Sequence, residues 1–292
     1  MAQVEYTEYE PRFAKAVAAM WNRSSEGWNG RIWNSSEARV LQKERDSAYL
    51  NLWLALAGEE VIGYVKLSKY SLEEGVAYVE LISVDPAWHG KGIGKALMRK
   101  CVERSAELGY QRLDLFTWPG NTKAVPLYKK CGFFWERMES QVTHLMNFLP
   151  GILNSQFFRP HFEHFHWYDD LKRELEVTPD GREERGFDYY DYLWEKEGRK
   201  LTVSFEKTGR GIAAFATNEI EVECLVDEAQ PVFGSEHRVS YRFTNRSGKP
   251  IPVRIEGLND ANVAFSASHG FQLGEQAVWE AGFSLSAPQP GD

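Results

Sequence analysis

The sequence predicts an α/β protein. A mixed β-sheet flanked by helices is followed by a mainly-β, sandwich-like C-terminal domain. Three observations carry this expectation. Up to about residue 148, helix-period and strand-like apolar patterns alternate, as in a layered sheet with helices. A glycine turn with Gly90, Gly92 and Gly94, in "VDPAWHGKGIGKALM", joins an apolar run to a run of helix formers. After Leu149-Pro150-Gly151 the texture changes, first to aromatic-dense stretches and then to short alternating runs between Gly, Pro and Asn turns.

The elements follow in order. "PRFAKAVAAMWN" spaces its apolar residues for a helix over 11–22, and "SSEARVLQKERD" for a second, capped by Ser35 or Ser36. "RSSEGWNGRIWN" between them is a loop. "YLNLWLALAGEEVIGYVKLSKY" is a hairpin around "GEE", and "GVAYVELISVDP" a third strand ended by Pro86. The helix after the glycines runs to about Leu108 and closes at Gly109. "RLDLFTW" is a buried strand, and "NTKAVPLYKKCG" a short helix capped by Asn121 or Thr122 and stopped at Gly132. "FFWERM" and "VTHLMNFL" are two closing strands. The glycine turn therefore follows a central strand. Glycine inside a helix costs roughly 1 kcal/mol against alanine. Its repetition at a helix start suits either a plain turn or a backbone that something approaches closely, such as a phosphate held by the helix N-terminus.

Composition narrows the function classes. The chain has 292 residues, 43% hydrophobic and 26% charged, with a formal net charge of −8. A broad nucleic-acid footprint is not expected. No apolar run approaches the ~18 residues of a membrane span, and "MAQVEYTEYEPRF" lacks the regions of a secretory signal. Cys101, Cys131 and Cys224 are too few and scattered for a disulfide framework or a zinc site, so a cytoplasmic protein without metal is expected.

Residues 149–195 read as an aromatic-rich connecting and interface segment, and 196–292 as an all-β accessory domain. "VSYRFTNRSGKPIPVRIEG" weakly resembles an immunoglobulin-like hairpin. In "HFEHFH", a strand would put His164 and His166 on one face as metal ligands; the alternative is three histidines, with His161, at the rim of an aromatic interface. The ending "SAPQPGD" soon after a strand is what a fragment of a longer chain would show.

Over roughly residues 1–148, the element order and two motifs resemble the GNAT family of acyl-CoA-dependent N-acetyltransferases. The motifs are "ISVDPAWHGKGIGKALM" and "NTKAVPLYKKCGF", the second matching N-x-x-A-x-x-L-Y-x-x-x-G-F. The resemblance implies that acetyl-CoA is the cosubstrate. Its pyrophosphate would lie on the N–H groups of Gly90, Gly92, Gly94 and Lys95, in the turn that also holds Lys91 and Ile93. Its pantetheine arm would pair with the backbone of Ile82 and Val84 where that strand splays from "RLDLFTW". His89 stands where the family has Gln or Arg, and Asn121 matches the cofactor-contacting asparagine. Tyr128 matches the general-acid tyrosine, and its alternative is a core tyrosine. Glu80 is the candidate base, on a strand whose alternation puts Tyr78, Glu80, Ile82 and Val84 on one face; its alternative is a salt bridge. The loop with Glu26, Trp28 and Trp33 is the candidate for binding a small-molecule amine acceptor, a tryptophan face and a carboxylate suiting an ammonium. The expected function is direct acetyl transfer to a primary amine, by a chain that could form a homodimer. The alternative is a non-catalytic acyl-CoA-binding or sensor protein whose β domain binds a partner or a glycan.

Overall fold

The computed structural model describes residues 3–25, 34–118, 120–137, 142–208, 210–226, 232–257, 259, 262–265 and 267–287. The chain divides into two compact units. One is Met1–His164 with Arg173–Asp180, and the other is Phe165–Lys172 with Gly181–Asp292.

The first unit follows the expected order with two additions, β1 and α5. Its elements are β1 (Val4–Glu8), α1 (Ala14–Arg23), α2 (Glu37–Arg45), β2 (Asn51–Ala57), β3 (Glu60–Lys69), β4 (Val76–Val84), α3 (Ile93–Glu107), β5 (Arg112–Thr117), α4 (Val125–Lys130), β6 (Phe134–Trp135), β7 (Thr143–Asn147) and α5 (Leu149–Asn154). The sheet order is β1-β2-β3-β4-β5-β7-β6, and only β4 and β5 run parallel. β1 is an edge strand whose residues are half-buried or exposed, so it carries no apolar alternation to read. Ser36 rather than Ser35 caps α2, accepting from the Arg39 N–H.

Tyr64 and Lys66 of β3 meet Glu44 of α2 on one face of the sheet. Gly63, one residue before Tyr64, faces Ile93 and Leu97 of α3 on the other. Ala14, Val17, Met20, Trp21, Leu54 and Tyr64 form the core under α1. α5 packs with α3 and β5, its Leu149 and Ile152 fully buried, so residues 149–154 complete this unit's core instead of leaving it.

The second unit is mainly β. Its strands are β8 (Leu171–Lys172), β9 (Arg182–Glu184), β10 (Phe187–Lys196), β11 (Arg199–Glu206), β12 (Ile212–Thr217), β13 (Ile220–Val226), β14 (Glu236–Asn245), β15 (Ile251–Glu256), β16 (Val263–Ala264), β17 (Ser268–Leu273) and β18 (Gln276–Leu285). Two unequal sheets result: a nine-stranded one, in which β10 to β14 run as a meander, and the pair β15-β17. Phe271 of β17 packs edge-on against Phe243 of β14, so the pair covers part of the large sheet. β14 and β15 lie in different sheets, so "VSYRFTNRSGKPIPVRIEG" is not a hairpin. The end of the aromatic segment is also a strand. In β10, Tyr190, Tyr192 and Trp194 alternate onto one buried face, and the Trp194 indole donates to the Trp167 carbonyl. A two-residue turn with positive φ at Glu197 and Gly198 joins β10 to β11.

Candidate active site

The site is built on a fork in the first sheet. β4 and β5 pair only at Val76 with Arg112, Ala77 with Leu113 and Tyr78 with Asp114. β4 continues to Val84 and β5 to Thr117 without further pairing. The far half of β4 thus turns an unpaired backbone edge toward the gap, the arrangement to which an extended, amide-bearing arm can add.

A bulge in β4 decides which side chains look which way. Leu67 pairs with Val79 and Lys66 with Leu81, so Glu80 is the extra residue. The alternation expected from the sequence is broken there. Glu80 shares the α2-side face with Lys66 and Ser68, which it contacts. Ser83, opposite Tyr64, lies on that face too. Val84, opposite Gly63, faces α3, its side chain beside Gly94. Tyr78 and Glu80 therefore do not share a face with Val84.

The glycines of the turn do different jobs. Gly90 and Gly92 have φ of 74° and 81°, which side-chain-bearing residues rarely adopt. Gly94 has an ordinary backbone, and a Cβ there would lie 3.1 Å from Leu127, so it is small because α3 and α4 approach closely. Gly92 is the N-cap residue of α3, and no side chain caps that helix, which leaves its N-terminal dipole open toward the turn. Asp85 secures the approach. Buried, it accepts from the Ala87 N–H and from Arg23. His89 reaches back to the Val84 carbonyl at 2.9 Å, tying the turn to the strand end. Lys91 lies 4.2 Å over the Trp88 ring and bonds the Ala87 carbonyl.

Tyr128 sits on α4, 6% exposed, and burial pushes its phenol above the ordinary value. Asn121 donates to the Thr117 hydroxyl, holding the loop to the end of β5. Neither Asn121 nor Thr122 is the N-cap; that position is Ala124, without a side-chain bond, although the Asn121 carbonyl accepts from the N–H groups of Ala124 and Val125. Next to Tyr128, the buried Lys129 donates to the Thr178 carbonyl at 2.7 Å and to Asp180 at 3.1 Å. Asp180 also accepts from the Trp135 N–H, and Arg173 bonds the Phe133 carbonyl and lies over the Phe134 ring. Residues 173–180 are thus a strap on α4 and β6, which the sequence reading placed in a connecting segment.

Glu80 has partners. Its side chain is 34% exposed, and Lys66, fully buried, donates to it at 2.7 Å while also pairing with Glu44 at 3.3 Å. The salt bridge that the sequence offered as the alternative is present, with Glu80 the outer member of a charge triad. A second network was missed in the sequence. Arg112 forks onto Asp114 and Glu73, and His144 lies between Asp114 at 3.0 Å and Glu136 at 2.7 Å. Burial pulls the His144 imidazole down, but hydrogen bonds to the two carboxylates and their charges outweigh it and hold the imidazole above its usual value. The signal was there in the charged residues of "RLDLF" and "VTHLM", at positions otherwise apolar and buried.

Glu26, Trp28 and Trp33 lie outside the described residues. In "HFEHFH", Arg159–Glu163 is a 3-10 helix, so the strand needed for paired histidine ligands does not form. No group of three metal-ligating side chains occurs among the described residues, and no described helix is long and apolar enough to cross a membrane.

A sequence model described as the acetyltransferase (GNAT) family matches residues 16–133. A mycothiol acetyltransferase of Corynebacterium glutamicum is 30% identical over 39% of this chain and 36% of its own length. An N-acetylaspartate synthetase of Xenopus tropicalis is 32% identical over 40% of this chain and 41% of its own. The chain thus spans well under half the length of the curated relatives it matches. Among solved structures, a PaiA N-acetyltransferase of Thermoplasma acidophilum in complex with coenzyme A aligns with a TM-score of 0.42 at 16% identity, over 50% of this chain and 98% of its own. The fork, the glycine turn and the two motifs lie within or beside the matched span, and residues 16–133 are a domain of the GNAT acetyltransferase family.

Proposed function

We propose that the first unit transfers an acetyl group from acetyl-CoA directly to a primary amine. The observation that carries this reading is the fork between β4 and β5, which ends at the uncapped N-terminus of α3. The pyrophosphate lies on the turn from His89 to Lys95, against the N–H groups of Gly92, Ile93, Gly94 and Lys95. Lys91 adds positive charge beside it. The pantetheine arm runs along the free edge of β4 at Ile82 and Val84, with Asn121 across the gap. The His89 bond fixes the orientation of the Val84 carbonyl.

Acetyl-CoA supplies the activated carbonyl. The neutral amine adds to it, the C–S bond breaks as the C–N bond is kept, the amine proton leaves through water, and the departing thiolate takes a proton from solvent. Tyr128 meets the departing sulfur as a hydrogen-bond donor. Its burial keeps the phenol protonated, so it stabilises a thiolate, whose conjugate acid has an ordinary pKa of about 8.5, without surrendering its proton outright. Glu80 takes the amine proton through water, because Lys66 and Ser68 already occupy its oxygens.

The test is calorimetry with acetyl-CoA, together with thiol release over a panel of amines. No acetyl-CoA binding by the folded chain would end this reading. Binding without turnover on any amine would favour a non-catalytic acyl-CoA sensor.

A further inference from the structure

The strap of residues 173–180 grips the chain on the C-terminal side of Tyr128 at two points. α4, which carries that tyrosine, is only six residues long, and no side chain caps its N-terminus. A helix so short has little stability of its own, so its packing partners decide where its side chains stand. The strap supplies several of them. Lys129, the residue after Tyr128, is buried and donates to the Thr178 carbonyl and to Asp180. Arg173 donates to the Phe133 carbonyl at 2.8 Å, and its guanidinium lies 3.8 Å over the Phe134 ring. The Phe133 peptide passes that hold on. Its N–H donates to the Tyr128 carbonyl at 3.1 Å, and its ring lies 6.2 Å from the Tyr128 ring. Asp180 also accepts from the Trp135 N–H, which ties β6 to the same strap. The strap lies beyond the residues 16–133 that the family model matches, and its neighbours in sequence on both sides belong to the second unit.

We propose that Lys129, Arg173 and Asp180 are positioning residues for the transfer: the strap fixes the Tyr128 hydroxyl where the sulfur of the coenzyme departs. The proposal rests on the transferase reading above. A hydrogen bond to a departing thiolate depends on placement, and a displacement of ~1 Å can cost ~10²-fold in rate. A buried ion pair contributes little net stability beside packed apolar side chains. What Lys129 and Asp180 add is one register between strap and helix, and Arg173 fixes the same register through Phe133. None of these contacts involves the glycine turn or the free edge of β4, so loosening the strap should leave cofactor affinity alone.

The experiment is fluorine NMR on the full chain labelled with fluorotyrosine, the Tyr128 signal being the one lost in Tyr128→Phe. The probes are coenzyme A and desulfo-coenzyme A, which lacks the sulfur. In wild type, coenzyme A should shift the Tyr128 signal in a way that desulfo-coenzyme A does not. Lys129→Met and Arg173→Met should each lose that difference while coenzyme A affinity stays within ~2-fold of wild type. On an amine turned over in the panel above, Lys129→Met should lower kcat at least ~10-fold in the wild-type background and leave it unchanged in the Tyr128→Phe background. A sulfur-dependent shift that survives in a folded strap variant, or an equal kcat loss in the two backgrounds, would overturn the positioning role and leave the transferase reading intact. A wild-type Tyr128 signal that answers both probes alike would overturn the contact with sulfur, and this proposal with it. A folded chain that binds neither probe would overturn the transferase reading itself.

Discussion

Asp180→Ala is the most informative single substitution outside the fork. Its carboxylate accepts from Lys129 at 3.1 Å and from the Trp135 N–H at 2.7 Å, with Arg173 at 3.6 Å. The Lys129 side chain is 2% exposed. Without Asp180, that ammonium keeps only the Thr178 carbonyl, and the Trp135 N–H loses its acceptor. Breaking a buried pair from one side costs about 3–5 kcal/mol, a large part of the ~5–15 kcal/mol of a typical domain. Lys129→Met should cost less, about 1–2 kcal/mol, because Asp180 would keep Trp135 and Arg173. Lys129→Met combined with Asp180→Asn should cost less than the two single changes added together, since the stranded charge is gone and an acceptor for Trp135 remains. The assay is urea unfolding, with amide exchange at Trp135 reporting on the strap itself. An Asp180→Ala protein within ~0.5 kcal/mol of wild type, with Trp135 exchange unchanged, would refute the reasoning. The same logic makes a chain cut after Pro150 a poor domain and one cut after Asp180 a better one.

Further outcomes are expected. Gly92→Glu should abolish acetyl-CoA binding, by forcing a side chain into a φ of 81° and by setting a negative charge at the phosphate position; unchanged affinity by calorimetry would displace the site. Tyr128→Phe should lower kcat by ~10²-fold, the loss of one hydrogen-bond donor to the departing sulfur, with acetyl-CoA affinity near wild type, and full kcat would make the tyrosine a packing residue. His144 is held above the ordinary imidazole value, so its stabilising contribution is complete below about pH 6.5 and is lost as pH rises through its folded-state value. The stability gap between wild type and His144→Gln, from unfolding at a series of pH values, should therefore narrow with rising pH. A gap that widens would mean the imidazole is held neutral.

Much of the fold was legible because periodicity and turn chemistry agreed. The hairpin β2–β3, the capped α2 and the glycine-led α3 carried strong local signals. What escaped was set by tertiary context. β1 is an edge strand with no buried face to pattern. The strap over α4 is irregular chain whose identity lies in Lys129 and Asp180, distant in sequence. β10 looked like interface because its tyrosines and tryptophan are unusually dense, although their alternation is that of a strand with one buried face. Asn121 was placed as a side-chain cap by its residue type, whereas only its carbonyl serves the helix start and its side chain goes to Thr117.

The β4 bulge is where sequence logic failed most usefully. Strict alternation would have aimed Glu80 and Val84 the same way. One extra residue turns them to opposite faces. Beyond it, Val84 packs toward α3 and the glycine turn, while Glu80 and Ser83 share the α2-side face with Tyr78. The bulge also lets Glu80 reach Lys66 and Ser68, so the carboxylate is held in one place instead of sampling solvent. A fixed carboxylate with both oxygens engaged is better suited to presenting charge to a cation than to travelling with a proton. That is why the transfer proposed above routes the proton to Glu80 through water.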